Sequence, residues 1–598
     1  MFAGLMFLSA AVTMDSHLPP LKPWQGESVT LMQEKGPLTT DFELSGGMRS
    51  PNYEDTMAFV DRLVAANPTQ FKVQTIATSS AGRKIKMLVA NEQGLFDAAQ
   101  LTSDAKPTIF IQAGIHSGEI DGKDAMFMLL RDIATGKRRD ILSKVNILFI
   151  PILNVDGHER SSQFNRINQR GPVEMGFRTN GLNLNLNRDY TKLDTPEVRG
   201  VLKVINTFKP DLYVDVHVTD GADYQYDVTY GYNPVFSSES PSVSEALDTM
   251  FKPVIDTKLA KMGHIPGPLV FVMDKRDFKK GLAGWVATPR YSNGWGDLRS
   301  LPSILVENHS LKPYKQRVLG TYVFLDGAID ALAKNNQALQ AAVKKEREFK
   351  PTQLVVERSY ATEPDTLVFK GIKYTRSKSE LSGQAEVAYL GEEESYDALP
   401  IYWQKIVKKT VNVPSAFYIP PAYSAIISKL KLHGVEVLRV KDTGPKSLTQ
   451  ATVKDYTFAK VPFEGRFRVE ASFDYKNITD VDVTGWYKVS TNQPYSELAT
   501  HLLHPEAPDS FFAWGEFNTI FQRTEYMENY ALIPYAKQML QAQPELALEF
   551  DKKVREDKVF AKDPEARLNW LYKRSPFYDQ AYLQYPILMA FEKPSMEQ

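Results

Sequence analysis

The sequence contains no cysteine, which excludes disulfide bonds, thiolate nucleophiles, iron–sulfur clusters and zinc sites with cysteine ligands. Only 9 of its 598 residues are histidine, so a transition-metal site must combine a few imidazoles with carboxylates. The formal net charge is −1, which gives no electrostatic reason to expect nucleic acid as a partner. Uninterrupted apolar runs stay below the roughly 18 residues of a spanning helix, so we expect no stable membrane insertion.

The composition is that of a folded protein, with 43% hydrophobic and 24% charged residues. Between residues 51 and about 335, short β-branched or apolar runs alternate with amphipathic segments. The runs predict strands at 107–115, 145–153, 211–218 and 303–309, and the amphipathic segments predict helices at 124–134 and 196–208. This alternation predicts an α/β domain with a mixed central sheet flanked by helices.

The pattern changes after a charged helical segment at 335–351, which we interpret as a connector. Short alternating strands with turn signals follow, and the last hundred or so residues return to helical patterns. We therefore predict an α/β domain over 15–345, a β-rich accessory domain over 350–490 and a mostly helical region over 491–598.

The chain starts with an apolar segment, MFAGLMFLSAAVTM, that contains small residues near Ser9–Ala11. This pattern resembles the apolar core and cleavage zone of a secretory signal peptide, although no Lys or Arg precedes it. We interpret residues 1–14 as a signal remnant and predict a periplasmic or secreted protein. The alternative is a buried N-terminal segment.

The segment IFIQAGIHSGEIDGKDA places His116 and Glu119 where an apolar strand ends and a helix begins. An imidazole and a carboxylate three residues apart can face one metal ion when the chain turns tightly between them, and Gly118 permits such a turn. Taken alone, this spacing is more often a solvated turn.

Two further candidates change that balance. His217 lies at the end of the predicted strand 211–218, and Glu307 lies near the end of the predicted strand 303–309. Sites in open α/β sheets form at the carboxyl ends of strands, so these side chains should meet His116 and Glu119 at one edge. Two His and one Glu are a three-ligand zinc pattern that leaves a position for water, and Glu307 is then a free carboxylate able to take its proton.

A second segment, LNLNLNRDY, fits a charged substrate. Its Asn187 and Arg188 are adjacent, and an arginine can clamp a carboxylate through two hydrogen bonds. Upstream, FNRINQRGP supplies Arg166 and Arg170. By itself, an Asn-Arg pair is usually a surface turn.

The motifs HSGE, NVDG followed by FNRINQRGP, NLNLNRDY, VDVHVTDG and ILVENH occur in this order between about 51 and 335. Together they resemble the zinc carboxypeptidase superfamily of metallopeptidases (family M14). The resemblance implies a mixed eight-stranded sheet and one zinc ion per chain, with His116, Glu119 and His217 as ligands. It also implies that Glu307 is the general base and proton shuttle. Asn187 and Arg188 would hold the C-terminal carboxylate of a peptide substrate.

The sequence departs from the digestive members of this superfamily at three positions. The arginine that polarises the scissile carbonyl aligns best with Gln169, and we assign its role to the neighbouring Arg170. Asn185 stands where an aspartate often orients the first histidine ligand. We assign the mobile tyrosine that covers the substrate to Tyr291.

The function predicted from these residues is zinc-dependent removal of single residues from peptides with a free C-terminal carboxylate. One alternative is a zinc amidase or deacylase of the same fold, acting on cell-wall peptides or N-acyl amino acids. The other is a non-catalytic peptide-binding protein that keeps the fold without turnover.

Overall fold

The first half of the chain folds around one mixed eight-stranded sheet. The computed structural model describes residues 15–591, so the predicted signal remnant 1–14 lies outside the described residues and remains a prediction. The four central strands run parallel, and the strands that flank them on either side run antiparallel to them. Helices alternate with these strands along the chain, and this architecture confirms the predicted α/β class.

The strands of this half alternate with helices along the chain. In chain order the strands are β1 (Phe71–Thr78), β2 (Lys84–Ala90), β3 (Thr108–Ala113), β4 (Asn146–Ile150), β5 (Leu212–Thr219), β6 (Val228–Gly231), β7 (Pro266–Pro268), β8 (Val270–Val272), β9 (Leu282–Gly284) and β10 (Ser303–His309). The sheet order is β1-β2-β4-β3-β5-β10-β6-β7, while β8 and β9 belong to another sheet.

The helices of the same half carry the apolar faces that cover the sheet. They are α1 (Asp41–Leu44), α2 (Tyr53–Ala66), α3 (Ala98–Ser103), α4 (Asp121–Ala134), α5 (Val155–His158), α6 (Pro196–Phe208), α7 (Pro241–Ala246), α8 (Lys252–Lys261), α9 (Ser292–Leu298) and α10 (Tyr314–Glu348). Helix α6 begins at a proline, whose fixed φ suits the first helical position, and buries Val201, Leu202 and Ile205.

The central strands position the candidate site. Strands β3 and β5 are buried at every residue, as expected of parallel strands covered on both faces. Strand β5 lies between β3 and β10, and its register with β10 pairs His217 with Glu307. The carboxyl ends of all three strands therefore open at one edge of the sheet.

Residues 335–348 of the charged segment form the C-terminal part of helix α10, and residues 349–351 follow the helix, so its role as a connector stays a prediction. Leu339 and Val343 are buried in this part of the helix. They form an apolar stripe that packs against the first half of the chain. Among residues 15–591, no helix combines the length and the low polarity that crossing a membrane requires.

The second half of the chain is rich in strands, as predicted, and includes a long hairpin. Its strands are β11 (Gln353–Ser359), β12 (Asp365–Lys378), β13 (Ala385–Tyr402), β14 (Ile406–Asn412), β15 (Ala416–Ile419), β16 (Leu438–Arg439), β17 (Ser447–Phe458), β18 (Val469–Thr479), β19 (Tyr487–Ser490) and β20 (Leu588–Ala590). The hairpin β12–β13 joins a four-stranded sheet with β9 and β8, because Ile401 of β13 pairs with Leu282 of β9.

The chain then becomes mostly helical. The helices of this half are α11 (Ser424–Leu432), α12 (Ser496–Leu503), α13 (Asn529–Ala542), α14 (Pro544–Glu556), α15 (Lys558–Lys562) and α16 (Pro564–Tyr572). Strand β20 returns to pair with β15 in a six-stranded sheet. The domain bounds given above stay a prediction, since both β13 and β20 pair with strands assigned to other domains.

Candidate active site

Three side chains at the edge of the sheet bring their donor atoms together. His116 follows β3, Glu119 precedes α4, and His217 lies near the end of β5. All three are buried, and one donor atom from each lies within 4.8 Å of the others. The Nδ1 atoms of His116 and His217 are 3.1 and 3.0 Å from the same oxygen, Oε2 of Glu119. Two imidazole nitrogens and a carboxylate oxygen that converge in this way fit a zinc ion.

The turn between His116 and Glu119 depends on Gly118. The backbone N–H of Glu119 donates to the carbonyl of His116 at 2.9 Å, which closes the turn. A Cβ at position 118 would lie 2.0 Å from Cδ of Arg166 and 2.8 Å from the carbonyl oxygen of Gly176. A side chain at position 118 is therefore excluded, and the turn brings both donor residues to one side.

Each histidine is oriented through its second nitrogen. Nε2 of His116 lies 2.9 Å from Oδ1 of Asn185, which also accepts the backbone N–H of Asn187 and must therefore be the acceptor. Nε2 of His217 lies 2.9 Å from Oδ2 of Asp215. These bonds hold a proton on Nε2, so that Nδ1 of each neutral ring would be the atom that binds a metal.

Asp215 was missed by the sequence reasoning, whereas Asn185 was recognised as the orienting position. The signal for Asp215 was available, because residues two apart on a strand share a face and Asp215 precedes His217 by two. Asp215 is itself fixed, since it accepts hydrogen bonds from Ser292 Oγ at 2.6 Å and from Gln112 Nε2 at 2.9 Å.

The environment shifts the pKa values of the three candidate ligands in different directions. Burial lowers the pKa of His116 to about 4, so the ring is neutral near pH 7. Burial alone would raise the pKa of Glu119, but its interactions with His116 and the charge of Arg166 outweigh this effect and hold the pKa well below its usual range. Burial would lower the pKa of His217, but the charge of Asp215 outweighs it and raises this pKa well above its usual range, so zinc binding would displace a proton from this ring.

Glu307 lies beside this cluster without forming part of it. Strand β10 pairs Glu307 with His217, and both line a cavity of about 190 Å³. Burial raises the pKa of the Glu307 carboxyl, and the nearby charge of Glu119 adds to the shift. Within residues 15–591 we find no hydrogen bond to this carboxylate, so it is available to exchange a proton with a bound molecule.

The three predicted substrate-binding residues line the same cavity. Asn187 and Arg188 form a short 3₁₀ turn, and Oδ1 of Asn187 accepts the backbone N–H of Ser292 at 3.0 Å. The guanidinium carbon of Arg188 lies 4.2 Å from the centre of the Tyr291 ring. A cation on the face of an aromatic ring is held in place and can still donate at its edge.

Arg170 lies elsewhere. Its guanidinium contacts the carbonyl of Pro19, and its backbone N–H donates to the carbonyl of Ser310 at 2.9 Å. It lines a different cavity, formed with residues 19–25. The structure therefore does not bring Arg170 to the candidate ligands.

Two other arginines reach the cavity. Arg166 lies 2.8 Å and Arg178 lies 3.2 Å from Oε1 of Glu119. Arg166 is held from behind, because its Nε donates to Gln169 at 2.6 Å, whereas the side chain of Arg178 is 44% exposed. Sequence reasoning missed Arg178, since its loop has neither helical nor strand periodicity.

Residues of the second half of the chain contact the loops that form the site. Oε2 of Glu464 accepts the backbone N–H of Asn185, the residue that orients His116, at 2.8 Å. Arg290, next to Tyr291, forms a salt bridge of 2.8 Å with Asp509. The accessory region thus touches both loops that carry the predicted substrate-binding residues.

The chain is similar to known proteins over the candidate ligands and beyond them. Residues 56–268 match the family model described as zinc carboxypeptidase, a segment that contains the three candidate ligands, and Glu307 lies beyond it. Carboxypeptidase 2 of Trichophyton tonsurans is 22% identical over 500 residues, covering 80% of this chain and 86% of that relative. Carboxypeptidase B of Astacus astacus is 27% identical over 127 residues, covering 21% of this chain and 39% of that relative. A solved structure of carboxypeptidase A from Helicoverpa armigera aligns with a TM-score of 0.36 at 17% identity, covering 48% of this chain and 74% of that one.

Proposed function

Residues 56–268 belong to the zinc carboxypeptidase superfamily of metallopeptidases, and from this premise we propose that the protein is a zinc-dependent metallocarboxypeptidase. The reaction is hydrolysis of the C-terminal peptide bond of a peptide. The observation that carries the proposal is the convergence of His116, Glu119 and His217 in a cavity that Glu307 and Arg188 also line.

The residues divide the chemistry between them. His116, Glu119 and His217 would hold one zinc ion, which when bound would lower the pKa of a water and polarise the scissile carbonyl. Glu307 accepts a proton from the attacking water and later returns it to the leaving amine. Its raised pKa supports this double role, because a group with a pKa nearer to neutrality can both take and give a proton.

Asn187 and Arg188 recognise the C-terminal carboxylate. An arginine binds a carboxylate through two parallel hydrogen bonds, and the stacking of Arg188 on Tyr291 fixes the plane of its guanidinium. Because these groups lie in the same cavity as Glu307, a peptide anchored there presents its last peptide bond to the catalytic groups.

The test compares zinc-loaded protein on one pool of peptides with free C-termini and on the same pool amidated, with products read by mass spectrometry. We expect loss of single residues from the free-carboxylate pool only. Arg188→Met should remove most of this discrimination, since the charged partner of the carboxylate is lost. Equal cleavage of both pools would indicate an internal or N-terminal peptidase. Cleavage of neither would favour the amidase, deacylase or binding-protein alternatives.

We further propose that Arg178, rather than Arg170, stabilises the negative charge that develops on the carbonyl oxygen. Arg178→Ala is expected to lower kcat by about 10²-fold, because loss of one oxyanion donor typically costs about 10²–10³-fold. Arg170→Ala is the matched control and should keep kcat within about twofold. Steady-state kinetics on an N-acetylated dipeptide measures both. A larger loss for Arg170→Ala than for Arg178→Ala would return the role to Arg170.

A further inference from the structure

A second cavity, of about 430 Å³, lies between the α/β half and the hairpin β12–β13. We call it the hairpin cavity, and its principal lining residues are Val270, Phe271, Phe278, Phe369, Val387 and Tyr389. Resting on the proposed function, we propose that the hairpin cavity is a binding subsite for an apolar side chain of the peptide, upstream of the scissile bond.

The lining of the hairpin cavity is built for an apolar occupant. Phe278 and Phe369 form a buried aromatic floor, with ring centres 5.4 Å apart. The hairpin closes one side with Val387 and Tyr389, which share a face of β13 because they are two residues apart. Aromatic and aliphatic walls of this kind give large apolar side chains their binding energy.

The hairpin cavity adjoins the catalytic cavity, because the two share lining residues. Asp220 and Phe271 line both, and Asp220 lies only three residues after His217. Ser310, three residues after Glu307, also lines the hairpin cavity. The loops that leave β5 and β10 therefore lead from the catalytic groups into it.

A row of aromatic rings follows the same path. Phe271 lies 6.3 Å from Trp285, and Trp285 lies 5.3 Å from Tyr291, measured between ring centres. Tyr291 in turn covers Arg188. Phe271 is 39% exposed, so its ring is accessible to a molecule bound in either cavity. The row thus joins the proposed carboxylate clamp to the hairpin cavity along one wall.

The rim of the hairpin cavity supplies polar groups for a peptide backbone. Asn168 and Asp220 lie on the rim and are hydrogen-bonded to each other at 3.1 Å, and Lys275 lies nearby. An apolar interior with a few polar groups at its mouth suits one side chain of an extended peptide. The accessory hairpin therefore contributes directly to substrate selection.

The experiment uses zinc-loaded full-length protein and N-acetylated peptides with a common C-terminal pair of residues. One peptide is the dipeptide itself, and the others are pentapeptides with Phe or Ser at one of the three upstream positions. We expect kcat/KM to be about 10-fold or more higher for Phe than for Ser at one upstream position, within the range of apolar pockets. The dipeptide reports the proposed function alone.

Two variants of the hairpin localise the effect. Val387→Asp places a carboxylate in the cavity and should reduce the Phe/Ser ratio to below about twofold. Ala388→Asp is the matched control, because Ala388 is the exposed neighbour on the opposite face of β13 and should keep the ratio. Binding of the labelled Phe and Ser pentapeptides to zinc-loaded Glu307→Gln, with and without Val387→Asp, provides a readout without turnover.

The outcomes separate the two proposals. Hydrolysis of the dipeptide with equal rates for Phe and Ser at every upstream position would overturn the subsite and leave the proposed function standing. Equal loss of the ratio in Val387→Asp and Ala388→Asp would also overturn the subsite. Failure to hydrolyse any peptide, with tighter binding of the Phe pentapeptide that Val387→Asp abolishes, would overturn the proposed function and support the subsite.

Discussion

Glu307→Gln is expected to lower kcat by about 10³–10⁴-fold, the upper part of the range for a group that acts as both base and acid. Glutamine has nearly the same shape as glutamate but cannot accept the proton of the attacking water. Glu307 is outside the three-residue donor cluster, so zinc content should remain near one per chain. Steady-state kinetics on an N-acetylated dipeptide and metal analysis of the same sample measure both quantities.

Glu307→Asp is the matched variant for this prediction. It keeps a carboxylate but withdraws it by one methylene, so we expect activity between those of Glu307→Gln and the unchanged protein. Retention of more than a tenth of the activity in Glu307→Gln would contradict the role of general base. A parallel loss of zinc would instead indicate that Glu307 holds the metal.

His217→Ala should remove both zinc and activity, with kcat/KM at or below the level of Glu307→Gln. The substitution removes one of three donors, and without the ion the pKa of the attacking water returns from about 7 toward about 15.7. Equilibrium dialysis followed by metal analysis measures the zinc, and circular dichroism checks that the variant is folded.

Asp215→Asn is the control that separates a ligand from its support. Asp215 contacts Nε2 of His217 rather than the donor cluster, so zinc should still bind, with an affinity about 10–100-fold lower.

Treatment of the unchanged protein with a chelator should abolish hydrolysis, and added zinc should restore it. Full activity in zinc-free His217→Ala would contradict the proposed mechanism.

The elements that were easiest to predict are those whose burial is nearly uniform. Strands β3, β5 and β10 consist of short apolar or β-branched runs, and the periodicity placed helix α6 at 196–208, as observed. The positions of polar residues at the ends of such strands can be predicted, because parallel strands end at a common edge of the sheet. For this reason sequence reasoning placed His116, His217 and Glu307 in one site.

The loop between α5 and α6 was less predictable. The arginines of this loop belong to no helix or strand whose periodicity would predict their direction. Arginines that are close in sequence therefore contact different partners. Arg166 reaches Glu119, whereas Arg170, four residues later, contacts Pro19. Arg166 takes a left-handed backbone conformation with φ of 56°, which residues other than glycine rarely adopt. Which arginine faces the cavity therefore depended on contacts that the sequence does not display.

The sequence by itself determined the α/β class, the sheet edge and the residue types that converge there, because periodicity and the order of strand ends are local properties of the chain. Only the tertiary structure decided which arginines face the cavity, that Glu464 supports Asn185 from 279 residues away, and that β13 extends a sheet with β9. These are long-range contacts between loops and strand edges, and their formation depends on how the whole chain packs.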